Sequence, residues 1–280
     1  MAEFSGKTAF VVGGSAGIGL AVARDLSAAK ARVAVFARNP ERLEEARKAI
    51  AGAGGGQCVA AFPVDACDPG AVDRAFAEAE AAVGPPDILI QCAGRAMPRP
   101  FMEVDHDQFQ ETLQVNLCST WNVIRAVVPG MRERGHGTIV ATSSMAGLLG
   151  VFGYTDYCAS KFAIVGFCEA LRGELAPDNI QVMVLCPPDT DTPGFEAENR
   201  TKPAETQAIS AGTNLLTPEQ VSAALLKALP GNRFLILPGF ESKMSHLAKR
   251  FAPGLVEWVM KRTVEKVRRE SSRGPEKGGA

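Results

Sequence analysis

Seven short, almost unbroken apolar runs punctuate the chain, at residues 8–12, 32–36, 58–63, 88–91, 138–142, 181–185 and 234–237. A strand with one wet face alternates apolar and polar residues. A continuous run needs cover on both faces, as in a parallel sheet between two helix layers. The stretches between the runs, 18–29, 40–51, 69–83, 105–134, 155–176 and 218–229, have the length and period of helices. This alternation predicts an α/β fold: a doubly wound, Rossmann-type parallel sheet in a three-layer α/β/α arrangement.

The chain has 280 residues, 46 % of them hydrophobic and 22 % charged, and a net charge of −1. That is an ordinary globular composition, and it provides no global field to draw in nucleic acid. The expected organisation is one domain over 1–240, with 187–216 as a substrate lid, and a basic helical tail over 241–280. The lid segment lacks a clean period and is rich in turn residues, as active-site covers are. The tail holds ten Lys/Arg against five Asp/Glu. Residues 52–56 read as a glycine-rich loop, 242–270 as helical and 273–280 as a disordered end.

The seven cysteines form no Cys-x-x-Cys pair, and the three histidines have no metal-site spacing. Buried, reduced thiols and no metal are expected. No basic region followed by an apolar run opens the chain, and no window supplies the ~18 apolar residues of a membrane span. The cytoplasm is the expected location, with peripheral membrane contact through the tail as an option. The segment around Leu255–Met260, followed by the basic residues 261–269, reads either as an amphipathic helix on anionic lipid or as a surface helix packed on a partner subunit.

The first strand runs into Gly13, Gly14, Ser15, Ala16, Gly17, Ile18 and Gly19, and then a helix. Glycines allow a tight turn and close approach of a pyrophosphate, and a helix N-terminus offers free N–H groups. The spacing is G-x-x-x-G-x-G, a weak signal taken alone. The second strand ends at Ala37-Arg38 rather than at the carboxylate of an NAD site. Arg38, with Arg42 one turn on, would grip the 2′-phosphate of NADPH. Asp65 reads as an acceptor for the adenine amine or as a helix cap, although Asp68 fits the cap better. Ala93 and Gly94 leave room for a cofactor at the end of the fourth strand.

Tyr157 and Lys161 stand four apart at the start of a helix and so share a face. A neighbouring ammonium is expected to lower the phenol's pKa toward neutrality, and Lys161 can also hold the nicotinamide ribose. Ser144, with Ser143 as the alternative, ends the fifth strand at the edge where ligands bind. Its hydroxyl would stabilise a developing oxyanion. Asn116, an indifferent helix former, sits inside a long helix.

Over about residues 5–240 the chain resembles the short-chain dehydrogenase/reductase family. The likeness rests on Gly13, Gly17, Gly19, Asp65, Ala93, Gly94, Asn116, Ser143, Ser144, Tyr157 and Lys161. It implies a catalytic set of Asn116, Ser144, Tyr157 and Lys161. In this set Tyr157 transfers the proton and Asn116 orders a water linked to Lys161. Pro187 and Thr192 would flank the nicotinamide carboxamide, and a homo-oligomer, dimer or tetramer, would form through the long helices. A narrower resemblance, carried by residues 149–155, 160–164, 187–195, 198–203 and 205–206, is to the branch of that family that reduces 3-ketosphinganine to sphinganine with NADPH. Pro187-Pro188 stands where most relatives carry Pro-Gly.

Such a substrate is a long-chain amino alcohol with an apolar tail. Asp189, Asp191, Glu196 and Glu198 are candidates for its amine. Leu148, Leu149, Val151, Phe152 and Phe195 either line the tail's path or are ordinary core. Two departures stand out. Val12 precedes Gly13 where the family has Thr, and Gln91 stands where it has Asn. Both are expected to remove a hydrogen-bonding group near the cofactor, so that the two changes either compensate each other or lower cofactor affinity. The other readings are a ketoreductase for another hydrophobic ketone or acyl substrate, and a non-catalytic NADP(H) sensor.

Overall fold

The computed structural model describes residues 4–53 and 59–272. Residues 54–56 of the expected glycine loop, Cys58 and the end 273–280 lie outside the described residues. Seven parallel strands form one sheet: β1 (Thr8–Val12), β2 (Arg32–Ala37), β3 (Val59–Pro63), β4 (Ile88–Gln91), β5 (Gly137–Thr142), β6 (Ile180–Leu185) and β7 (Leu235–Ile236). Their order is β3-β2-β1-β4-β5-β6-β7, the doubly wound arrangement read from the apolar runs. Strand order reverses direction between β1 and β4, paired with Val12 opposite Gln91. That reversal opens a crevice at the carboxyl edge.

The buried runs explain the two-sided cover. On one face Phe10, Phe36, Leu89, Ile139, Val182 and Val184 pack beneath α3 (Pro69–Val83), α5 (Ser119–Arg134) and α6 (Thr155–Leu175). The rings of Phe10, Phe36, Phe62 and Phe76 lie 4.7–5.5 Å apart in successive pairs, within the range of favourable aromatic contact. On the other face Val11, Val33, Val35, Ile90 and Leu185 pack beneath α1 (Gly17–Ala28), α2 (Pro40–Ala53) and α9 (Pro218–Ala228).

Helix starts follow local chemistry. Asp68 accepts the N–H of Ala71 ahead of Pro69. Thr217 and Gln220 form a reciprocal capping box ahead of Pro218. Gly135, at φ 69°, ends α5 in the left-handed region.

Three features differ from the sequence reading. The expected helix 105–134 is broken into α4 (His106–Leu113), a π-helical turn (Gln114–Cys118) and α5. The lid, expected to lack regular structure, contains α7 (Pro193–Asn199) and α8 (Ala204–Ser210). Thr192 caps α7 and accepts the N–H of Phe195 at 3.0 Å. The tail forms two helices, α10 (Phe240–Phe251) and α11 (Pro253–Ser272), separated where Pro253 removes a donor. The tail also packs on the lid: Arg268 pairs with Glu205, its guanidinium lies 5.5 Å from the Phe152 ring, and Glu241 accepts from Asn214. Among the described residues no helix is long and apolar enough to cross a membrane.

Candidate active site

The glycine turn is shaped by its own backbone. Gly13 has φ 77° and Gly17 φ 52°, a region that disfavours any side chain. A Cβ on Gly13 would stand 2.6 Å from Ala93 N, and one on Gly19 2.2 Å from Gly13 O. A Cβ on Gly17 would stand 2.9 Å from the Thr192 methyl, so the lid reaches over this turn. Ala16 provides no side-chain cap to α1, and the first turn holds no acid. The leading N–H groups and the positive end of the helix are left for an anion. Ile18 is partly buried against the core, and Ser15 stands in the turn between. Arg38 and Arg42 are exposed beyond β2, and Asn39 accepts the N–H of Arg42. Asp65 is exposed and accepts the N–H of Cys67, while Asp68 is the helix cap.

The catalytic candidates converge on the ends of β4 and β5 and the start of α6. Lys161 is buried, donates to Thr142 O at 2.8 Å, and lies 5.6 Å from the Tyr157 ring centroid. Ser144 accepts the N–H of Ala146 at 3.1 Å, and its hydroxyl hydrogen-bonds the Tyr157 phenol. Ser143 is not available for the same work: it is buried and donates to Lys161 O at 2.8 Å. A Cβ on Gly94 would meet Asn116 Oδ1 at 3.2 Å and Lys161 Nζ at 3.4 Å, so this glycine keeps the floor beside the ammonium open. Pro187 is buried, and its carbonyl accepts the N–H of Met145.

Asn116 sits in the π-helical turn, where a wider coil replaces the regular helix. Its amide donates to Arg95 O (3.0 Å) and Ser160 Oγ (2.9 Å), and its Oδ1 accepts from Arg95 N at 2.8 Å. It fastens the loop after β4 to α6. Asp156, which the sequence reading missed, works beside it. Fully buried, it accepts from Gln108 Nε2, Thr112 Oγ1 and the N–H of Tyr157. Its one sequence signal is an acid at the first turn of α6, next to the tyrosine.

Two expectations are corrected. The Tyr157 phenol is not acidified. Burial pushes its pKa above the usual phenol range, and the negative charge of Glu198 adds to that shift, outweighing the hydrogen bond from Ser144. The ammonium of Lys161 is directed to Thr142 O and the ring, and burial lowers its own pKa to about 8. Gln91 likewise does not lose its structural role. It is buried, donates to Ser119 Oγ at 3.0 Å and accepts from Ala93 N at 3.3 Å. The longer amide reaches partners and holds the strand end.

The lid acids also differ from expectation. Asp189 and Glu198 both pair with Lys202, at 3.8 and 2.9 Å, while Asp191 and Glu196 are exposed. Leu149 is buried, and Leu148, Val151, Phe152 and Phe195 are partly buried. Among the six described cysteines, Cys158, Cys168 and Cys186 are buried and Cys67, Cys92 and Cys118 only partly so. Burial raises Cys92 to about 11 and Cys168 and Cys186 to about 12, which leaves them as thiols at neutral pH.

The family described as short chain dehydrogenase matches residues 7–203. The 3-dehydrosphinganine reductase of Danio rerio is 41 % identical over 234 residues, covering 82 % of this chain and 70 % of that protein. The 3-ketodihydrosphingosine reductase of Bos taurus is 40 % identical over 231 residues, covering 81 % and 70 %. Among solved structures, a levodione reductase superposes with a TM-score of 0.79 at 20 % identity, over 86 % of this chain and 99 % of that one. At that identity the likeness concerns the fold alone.

Proposed function

The chain belongs to the short-chain dehydrogenase family, and from that premise we propose that it reduces 3-ketosphinganine to sphinganine with NADPH, Tyr157 giving the proton. The observation that carries this reading is the convergence of Ser144, Tyr157 and Lys161 beside a glycine turn whose uncapped helix start suits a cofactor's phosphates. The substrate rests on the curated relatives at about 40 % identity.

The residues present fit a nicotinamide dinucleotide. The N-terminus of α1, with Gly13, Gly17 and Gly19, would take the pyrophosphate. Arg38 and Arg42 would take a 2′-phosphate where Ala37 offers no carboxylate to repel it. Asp65 would accept from the adenine amine, Ala93 and Gly94 leave the passage open, and Pro187 and Thr192 stand on the lid side. When bound, the reduced dinucleotide supplies the hydride.

The chain's own groups handle the charge and the proton. Ser144 Oγ steadies the carbonyl oxygen as negative charge builds on it. Tyr157 Oη carries the proton to be given up, and its raised pKa keeps it protonated throughout the neutral range. That is the correct form for a reduction. The neighbouring ammonium of Lys161 compensates the phenolate left behind and would hold the nicotinamide ribose of a bound dinucleotide. Asn116 and Asp156 position α6.

The test is incubation of the purified protein with 3-ketosphinganine and either NADPH or NADH. One sphinganine per NADPH oxidised, with NADH clearly poorer, is expected. Faster reduction of an unrelated hydrophobic ketone would overturn the substrate assignment.

The apolar side chains Phe109, Trp121 and Phe162 are exposed on α4, α5 and α6, and they support a homo-oligomeric interface there. Sedimentation showing a monomer at micromolar concentration would refute it. Phe251, Leu255, Trp258 and Val259 are exposed on the tail among Arg250, Lys261 and Arg262, and they support peripheral contact with anionic lipid. Charge reversal of Lys261 and Arg262 is expected to weaken vesicle binding, and unchanged binding would refute the contact.

A further inference from the structure

Within the lid, beside the catalytic tyrosine, lies a largely buried ionic cluster that proton transfer leaves unused. The Lys202 side chain is 2 % exposed; it pairs with Glu198 at 2.9 Å and Asp189 at 3.8 Å and lies 4.4 Å from the Phe195 ring centroid. Glu198 also accepts from the Tyr154 hydroxyl, and the rings of Tyr154 and Tyr157 are 5.5 Å apart. The negative charges of Glu198 and Asp189 both bear on the Tyr157 phenol.

Two carboxylates thus share one ammonium. The cluster holds an excess negative charge in a sheltered place, where an uncompensated charge is costly. Side-chain exposure is 31 % for Asp189, 14 % for Glu198 and 2 % for Lys202, so both carboxylates are more accessible than the ammonium, and of the two it is Glu198 that accepts from Tyr154 beside the catalytic tyrosine. The seated lysine also shows which ligand chemistry the cluster accepts: a primary ammonium between carboxylates and over an aromatic face. The other lid acids are less suited, because Asp191 and Glu196 are exposed and Glu196 pairs with Arg200.

We propose that Glu198 selects a 2-amino ketone, its carboxylate receiving the substrate's ammonium while Tyr157 addresses the adjacent carbonyl. This rests on the reading of Tyr157 as proton donor to 3-ketosphinganine. In that substrate the ammonium sits on the carbon next to the ketone, so its acceptor must lie close to the tyrosine hydroxyl. Glu198 bonds Tyr154, whose ring lies 5.5 Å from that of Tyr157, and its charge bears on the Tyr157 phenol. Lys202 is a positioning residue: its single positive charge is shared between Glu198 and Asp189, so the pair keeps one unit of negative charge for the ligand.

The experiment compares kcat/KM for 3-ketosphinganine with that for the same ketone lacking the amine. It uses the full chain and its Glu198→Gln and Glu198→Asp variants. The wild-type protein is expected to prefer the amino ketone. Glu198→Gln lowers the ratio of the two values by about 10- to 100-fold, the weight of a charge-assisted hydrogen bond. Glu198→Asp, which keeps the charge, retains most of the ratio. A Gln variant that loses rate equally on both ketones, with the ratio unchanged, overturns the assignment and leaves the function standing. A wild-type protein that reduces the des-amino ketone but not the amino ketone overturns both.

Discussion

On one side of the crevice the glycine turn is held by backbone alone, with no charge and no room for a Cβ at Gly13 or Gly19. On the other, the lid is held by side chains: Lys202 between Glu198 and Asp189, Tyr154 on Glu198, and Thr192 as a cap. The two sides meet where Thr192 covers Gly17. A backbone cradle suits phosphates, which every nucleotide cofactor shares. A lattice of paired charges suits discrimination between substrates, because removing or adding one charge there changes what the site accepts.

The contrast can be broken on the lid side first. Lys202→Met leaves the largely buried Glu198 and the partly exposed Asp189 without their cation and is expected to cost about 3 kcal/mol of stability in chemical denaturation. A loss below about 1 kcal/mol would mean that the cluster is not holding the lid. On the turn side, Gly19→Ala forces a Cβ against Gly13 O and is expected to weaken NADPH binding about 30-fold, close to 2 kcal/mol. Unchanged affinity by fluorescence titration would remove the steric argument. At the outer rim, Arg38→Ala sharpens the comparison, since an exposed guanidinium tunes the cofactor without shaping the turn. The kcat/KM ratio for NADPH over NADH is expected to fall about 10-fold, and an unchanged ratio would reassign the 2′-phosphate contact.

The smallest effect is one of pH. Burial depresses Lys161 to about 8 from an ordinary 10.5, so the ammonium is lost as pH rises through about 8. Accordingly kcat/KM, which reports the free enzyme, should be about half its plateau there and fall further above. Stability moves the other way. Between about 8 and 10.5 the unfolded chain binds this proton more tightly than the folded one, so Lys161 alone makes stability rise with pH across that window. A flat rate profile to pH 10 would contradict the buried ammonium.

The same contrast governs what could be read from the sequence. The strands and the glycine turn were legible because continuous apolar runs and forced backbone angles are local signals. Asn116 was found by type, but the π-helical turn holding it was not, since five residues of wider coil leave no period of their own. The direction of the Tyr157 shift was misread because the i, i+4 lysine is visible in sequence and the burial is not. Gln91 looked like a loss until Ser119, 28 residues away, came into reach. Lys202 is visible in the sequence only as one residue of the 198–203 motif, because its role depends on Asp189, Glu198 and Phe195 being folded around it.

The account depends on the partly buried phenol of Tyr157 being the proton source, and Tyr157→Phe tests it most directly. NADPH binding and turnover of 3-ketosphinganine would be measured on the same preparation. Binding is expected to persist while kcat falls by about 1,000-fold or more, in the range of general acid catalysis. Turnover at the wild-type rate by the phenylalanine variant would contradict the mechanism.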